Sequence, residues 1–84
     1  PYGYESIEKW IEQDSACQKV IKNEEYRVLV RFVIDKNGRM DMFYSDAGEF
    51  NSNILYFRFR SIKKWSPGIL NGKRVNTRVR LYIN

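Results

Sequence analysis

Few residues in this chain can carry chemistry. There is no histidine, and Cys17 is the single cysteine. Ser-His-Asp and Cys-His nucleophilic sites are therefore excluded, as are zinc sites built from histidine or from cysteines alone. The acids Asp35, Asp41, Asp46 and Glu49 gather in one stretch, where a paired-carboxylate or calcium site is imaginable. None has calcium-loop spacing, and solvated turns account for them better. Gly38, Gly48, Gly68 and Gly72 fall singly at turn positions and form no phosphate loop. The expectation is a binding protein with no catalytic residues, no metal and no cofactor.

Cys17 shares a helical stripe with Val20 and Ile21 and reads as a small buried hydrophobe rather than a reactive thiol. Trp10 and Trp65 read as core anchors. Arginines offer the other candidate chemistry. Arg27, Arg31, Arg39, Arg78 and Arg80 are expected on one sheet face with Tyr82. Such a surface suits single-stranded nucleic acid, but no glycine-rich aromatic signature accompanies it, and an open antiparallel sheet ordinarily turns a polar face to water. The solvated face is the preferred reading.

The elements that must position these residues follow from periodicity. Ile7, Trp10 and Ile11 mark a short helix from about Glu5 to Gln13, with Ser6 as its cap. Ser15 and Gln18, at capping-box spacing, mark a second helix over Ala16 to Lys22, the alternative being one kinked helix through both. Tyr26 to Ile34 reads as a strand with Val28, Val30, Phe32 and Ile34 on one face. Asp35-Lys36-Asn37-Gly38 turns it into a return strand from about Arg39 to Ser45, with Met40, Met42 and Tyr44 inward. Ser45 to Phe50 is a loop. Asn53 to Trp65 is read as a helix in preference to a strand over Ile54 to Arg60; it would be capped by Asn51 or Ser52, with Ile54, Phe57 or Arg58, Ser61, Ile62 and Trp65 on its stripe and Lys63 and Lys64 at its C-terminal end. Pro67-Gly68 stops it, and Asn71-Gly72 makes a turn. From Val75, the residues Val75, Thr77, Val79, Leu81 and Ile83 alternate with Asn76, Arg78, Arg80 and Tyr82 in a half-buried final strand.

The fold class expected is α+β: a small three-stranded antiparallel sheet of order 2-1-3, with helices packed on one face. Residues 1–84 form one domain, and a chain that opens with Pro1 and no methionine is expected to be a fragment of a longer protein. Its net charge of +5 favours acidic partners such as nucleic acid, an anionic membrane face or a polyanionic matrix. No apolar run approaches the roughly 18 residues of a membrane span.

Two blocks of residues then match a known pattern. Val28 to Met40, with Asp35-Lys36-Asn37-Gly38 inside it, resembles the first strand and D-x-x-G hairpin of the C-terminal domain of TonB energy-transducing proteins. Lys64-Trp65-Ser66-Pro67-Gly68, followed by Asn71-Gly72-Lys73-Arg74-Val75 and the closing strand, resembles that family's W-x-P-(G/A)…N-G-K-x-V ending. The chain differs from the family at Asp14-Ser15-Ala16, where Tyr-Pro is usual; at Tyr26, where glycine is usual; and at Arg58, where a small residue is usual.

The resemblance implies a periplasmic module whose full-length protein is anchored to the inner membrane. It would grip the TonB-box peptide of an outer-membrane transporter and transmit energy for transport. Strand addition to the final strand would use the main chain of Arg74 to Ile83, with Arg74, Asn76, Thr77, Arg78, Val79, Arg80, Leu81 and Tyr82 as the partner-binding residues and Arg78 and Arg80 favouring acidic segments. Pairing of two copies through the same edge is the competing use of that strand. The alternatives are a nucleic-acid-binding domain, though nucleic acid is not the expected partner, and a periplasmic assembly domain.

Overall fold

The computed structural model describes residues 4–62 and 65–83. It contains helices α1 (Tyr4–Gln13), α2 (Ser15–Asn23) and α3 (Glu49–Arg60), and strands β1 (Val28–Ile34), β2 (Met40–Ser45), β3 (Gly68–Leu70), β4 (Lys73–Val75) and β5 (Thr77–Ile83). β2, β1 and β5 form an antiparallel sheet in the order β2-β1-β5, the expected 2-1-3 arrangement. β3 and β4 make a separate two-stranded hairpin around the expected Asn71-Gly72 turn, and Val75, expected to open the final strand, belongs to β4 instead.

β1 is central because its alternate residues Val28, Val30, Phe32 and Ile34 are all buried. They meet Val79, Leu81 and Ile83 of β5 together with Ile7, Ile11, Cys17, Val20, Leu55, Phe59, Ile62 and Trp65. Aromatic rings fill the centre. Phe32 lies 4.9 Å from Trp65 and 5.7 Å from Phe59, and Phe59 in turn lies 5.6 Å from Trp10 and from Phe43, in geometries that aromatic pairs favour.

Several local expectations are corrected. The side chain that caps α2 is Asp14, whose carboxylate accepts the Cys17 N–H at 3.1 Å, and Ser15 is already helical. Gln18 does not close a capping box; its amide donates to the Ile11 carbonyl at 2.8 Å. Aspartate one residue earlier reaches the free N–H groups of the first turn equally well.

α3 starts at Glu49 rather than Asn53 and ends at Arg60. Asn51 does not cap it but donates to Glu24, which also accepts the Gly48 N–H at 3.1 Å at the start of the helix. The buried stripe is Leu55 and Phe59, while Phe57 is 62% exposed. Trp65 lies beyond the helix and reaches the core from an extended segment, its N–H donating to the Gly38 carbonyl at 2.9 Å. The Ser6 cap and the cations Lys63 and Lys64 fall outside the described residues and side chains.

β2 differs most from its predicted facing. Arg31 pairs with Tyr44 and Val33 with Asp41, so Met42 and Phe43 together oppose Phe32. This is a β-bulge, and Met42 takes a positive φ of 53° within it. The extra residue resets the alternation: Met40 and Phe43 pack on the core, while Met42 and Tyr44 are exposed. Met42 and Tyr44 are therefore not inward residues.

Candidate functional site

β5 joins the sheet on one flank only. Its seven residues pair in unbroken register with β1, from Val28 opposite Ile83 to Ile34 opposite Thr77. Among the described residues no strand pairs along its other flank.

The backbone groups that look outward follow from parity. Leu29 donates its N–H to the Asp46 carboxylate at 2.8 Å and accepts the Asp46 N–H at 3.2 Å, so its main chain points toward the β2 side. Main-chain direction alternates along a strand, so Val28, Val30, Phe32 and Ile34 address β5. Their opposites Ile83, Leu81, Val79 and Thr77 face β1 in return. Arg78, Arg80 and Tyr82 consequently turn their N–H and C=O groups away from the sheet, one donor and one acceptor each.

The predicted site residues divide along this line. The main chain of Arg78, Arg80 and Tyr82 points outward, whereas Thr77, Val79 and Leu81 spend theirs on β1. Asn76 is a break between β4 and β5, and its side-chain carbonyl accepts the Lys36 N–H at 2.9 Å. Thr77 Oγ1 accepts the Gly68 N–H at 2.6 Å and donates to the Val75 carbonyl at 3.0 Å. A Cβ on Gly68 would stand 2.8 Å from that hydroxyl, which is why glycine is needed there. Arg74 is not on the edge: it pairs with Ile69 across the β3–β4 hairpin, whose turn holds Asn71 and Gly72 at positive φ.

Two hollows lie along the outer flank of β5, each lined by β5 side chains of both facings and by α1. One, of about 210 Å³, is bounded by Ile7, Ile34, Thr77, Arg78, Val79 and the segment 65–68. The other, of about 240 Å³, is bounded by Glu8, Ile11, Glu12, Gln18, Leu81, Tyr82 and Ile83. The contribution of α1, with Glu8 and Glu12, was missed in the sequence. Their spacing of four residues beside Ile7 and Ile11 was the available signal.

Of the expected arginines, Arg27, Arg31, Arg78 and Arg80 lie on the outer sheet face, joined by aromatics. Arg31 sits over Tyr44 at 4.4 Å and Arg27 over Tyr82 at 4.1 Å, distances at which a guanidinium is held by a ring. A groove of about 810 Å³ runs between Met42 and Tyr44 on one side and Asn76, Arg78 and Arg80 on the other, over Arg31 and Val33.

Elsewhere the polar groups serve the fold. Asp35 accepts the N–H groups of Asn37 and Arg39 at 2.9 Å each, and Asp41 accepts that of Met42 at 2.8 Å. Cys17 is fully buried, and desolvation, reinforced by the neighbouring Asp14 carboxylate, pushes its thiol up to about 12. It is an apolar core residue. Asp14, only 8% exposed, is held below the ordinary carboxylate range chiefly by its hydrogen-bonded ion pair with Arg58, which is 42% exposed. Two of the departures from the TonB pattern, Asp14 and Arg58, are thus the two halves of one contact.

Fold and edge together define a small α+β domain with an open antiparallel sheet. Comparison with known proteins finds no matching family model, curated protein or solved structure.

Proposed function

We propose that this chain is a peptide-binding module that captures an extended segment by strand addition along β5. The role is that of a TonB C-terminal domain in the periplasm, its parent protein anchored in the inner membrane, gripping the TonB box of an outer-membrane transporter and passing on energy for transport. The observation that carries the reading is the outer flank of β5, along which no strand pairs among the described residues. An added strand gains a row of main-chain hydrogen bonds there, and bonds lying across the direction of pull share the load. The two motif blocks named above support the same reading.

Pairing of two copies through β5 fits less well. Antiparallel registers centred between Arg78 and Arg80 would set arginine against arginine, and like charges directly across a ladder are destabilising. A guest with acidic residues at those positions avoids that cost.

Arg80→Pro is the decisive variant. It removes an outward N–H while leaving the β1-facing bonds of Val79 and Leu81 in place, and edge strands accept proline in that orientation. Peptide affinity should fall at least about tenfold, with the circular dichroism spectrum and unfolding midpoint nearly unchanged. Undiminished binding would rule out strand addition along β5.

One observation favours a second reading. The outer groove, with Arg31, Arg78 and Arg80 beside Tyr44, offers guanidinium groups for phosphates and a ring for a base. Single-stranded nucleic acid bound there would weaken steeply with salt, would lose affinity in Arg31→Ala, and would be indifferent to Arg80→Pro beyond the loss of one charge.

A further inference from the structure

The β3–β4 hairpin takes no part in the β2-β1-β5 sheet. Its two strands pack on each other and touch the other elements little. Ties to the body lie at its base, where the Gly68 N–H donates to Thr77 and the Asn76 side chain accepts the Lys36 N–H. Asn71 and Gly72, both at positive φ, close the tip in the compact two-residue turn that suits a twisted ribbon.

This ribbon leaves Ile69 64% and Leu70 61% exposed, and no other isoleucine or leucine among the described residues is exposed. Neither belongs to the core. One apolar side chain in water calls for no explanation, but this pair has company. Directly opposite residues of an antiparallel pair lie on the same face, so Arg74 stands beside Ile69 and Lys73 beside Leu70: one aliphatic chain and one cation on each face.

Cations continue around the base. The Lys36–Asn76 bond and the Trp65 N–H donated to the Gly38 carbonyl bring the β1–β2 turn, with Lys36 and Arg39, to this end of the molecule. Arg78 borders the same hollow as Gly68. All ten acids of the chain lie at or before Glu49, so beyond it there are cations and no carboxylate side chains. Asp35 and Asp41, on the turn and the adjoining end of β2, accept the N–H groups of Asn37, Arg39 and Met42. Among the described residues the ion pair present joins Asp14 to Arg58, and none of Lys36, Arg39, Lys73, Arg74 and Arg78 enters it.

Two aliphatic side chains on opposite faces of one ribbon decide between acidic partners. A rigid protein surface would cover one face and leave the other wet. Nucleic-acid bases stack on rings, and the hairpin has none. The interfacial layer of a bilayer surrounds both faces at once, and cations beside the apolar groups add attraction to anionic lipid. We propose that the β3–β4 hairpin is a membrane-docking element for an anionic bilayer. Ile69 and Leu70 reach the top of the acyl chains, while Lys73 and Arg74 lay their stems beside them and carry their charges to the lipid phosphates. Three-residue strands and the polar Asn71-Gly72 turn keep the insertion shallow. This docking is separate from strand addition along β5 and stands or falls without it.

Sedimentation with vesicles tests the proposal, comparing phosphatidylcholine alone with equal parts of phosphatidylcholine and phosphatidylglycerol at physiological salt. The wild-type chain should sediment with the anionic vesicles and not with the neutral ones. Lys73→Gln/Arg74→Gln should lower the partition coefficient about twenty-fivefold, about fivefold for each cation. Ile69→Ser/Leu70→Ser should lower it about tenfold or more. Both variants should keep the wild-type circular dichroism spectrum and unfolding midpoint, because all four side chains are exposed. Depth is read from Ile69→Cys carrying an environment-sensitive fluorophore, for which the fully buried Cys17 does not compete. Its emission should shift to the blue on anionic vesicles, whereas the same label on Phe50→Cys, exposed on α3, should not shift. A wild-type chain that ignores anionic vesicles would overturn the proposal. Binding unaffected by Ile69→Ser/Leu70→Ser would also overturn it, since charge alone would then suffice for any polyanion, nucleic acid included. A blue shift at position 50 and none at 69 would do the same.

Discussion

The sheet has two outer strands, and they are finished differently. β5 keeps regular pairing with β1 over all seven residues. β2, on the opposite side, loses register between its pairings with Arg31 and Val33 and carries a bulge at Met42 and Phe43. A bulge bends and twists a strand, so the outer groups of β2 no longer present a straight template, and this is a common way to keep an edge from pairing. β5 has no bulge, only arginines. The contrast teaches that one edge is guarded by shape, against any strand, and the other by charge, against some strands but not all.

The largest effect should come from the residue at the centre of the core on which the sheet packs. Phe59 contacts Phe32 of β1, Phe43 of β2 and Trp65, and it is fully buried. Phe59→Ala should lower unfolding free energy by about 3–5 kcal/mol in urea titrations. That would approach the whole stability of a domain this small, so the contrast between edges would vanish with the fold.

Next is the clamp between the helices beneath the two edges. Asp14 ends the turn from α1, which lies along β5, and Arg58 sits on α3, which packs on β2. Asp14→Ala removes both the α2 cap and the ion pair and should cost about 1–2 kcal/mol. The carboxyl group of Asp14 is depressed in the folded state from the ordinary 3.8. Its contribution is therefore present above that pH and lost as pH falls through the lower folded value. Unfolding midpoints should drop on acidification below about pH 4, and the drop should be smaller in Asp14→Ala.

A third prediction converts one edge into the other. Deleting Met42 leaves Phe43 alone opposite Phe32 and keeps Met40 and Phe43 inward and Asp41 and Tyr44 outward. The chain should still fold, now with a regular β2. Sedimentation should then reveal concentration-dependent self-association absent from the parent, while peptide affinity at β5 stays within about twofold. An unchanged monomer would show that the bulge does not guard β2.

The smallest effect tests the guard itself. Met42→Gly retains the bulge and suits the positive φ of 53°. Relief of left-handed strain and the added chain entropy of glycine oppose each other, so stability should change by less than about 1 kcal/mol and association not at all.

Much of this architecture was legible beforehand. Alternation in Val28 to Ile34 and in Thr77 to Ile83 identified the two long strands because each buries one face only, and that makes period two visible. The bulge was not legible: Met40-Asp41-Met42-Phe43-Tyr44 contains enough apolar residues to fit either facing, and only Phe32 and Phe59, distant in sequence, decide that Phe43 goes inward. The ends of α3 were missed because Glu24, from another element, occupies the Gly48 N–H, and because Trp65 anchors the core from outside the helix. At the site, the edge itself could be anticipated, but not the two hollows beneath it.

The chain's own order of residue types determined α1, α2, the two long strands and the 2-1-3 sheet order, since periodicity and turn chemistry act over a few neighbours. Which backbone groups of β5 look outward, and that Glu8 and Glu12 stand beside its far end, depended on the phase of pairing with β1 and on where α1 came to rest. Those are relations between segments roughly forty to seventy residues apart, and packing in three dimensions alone sets them.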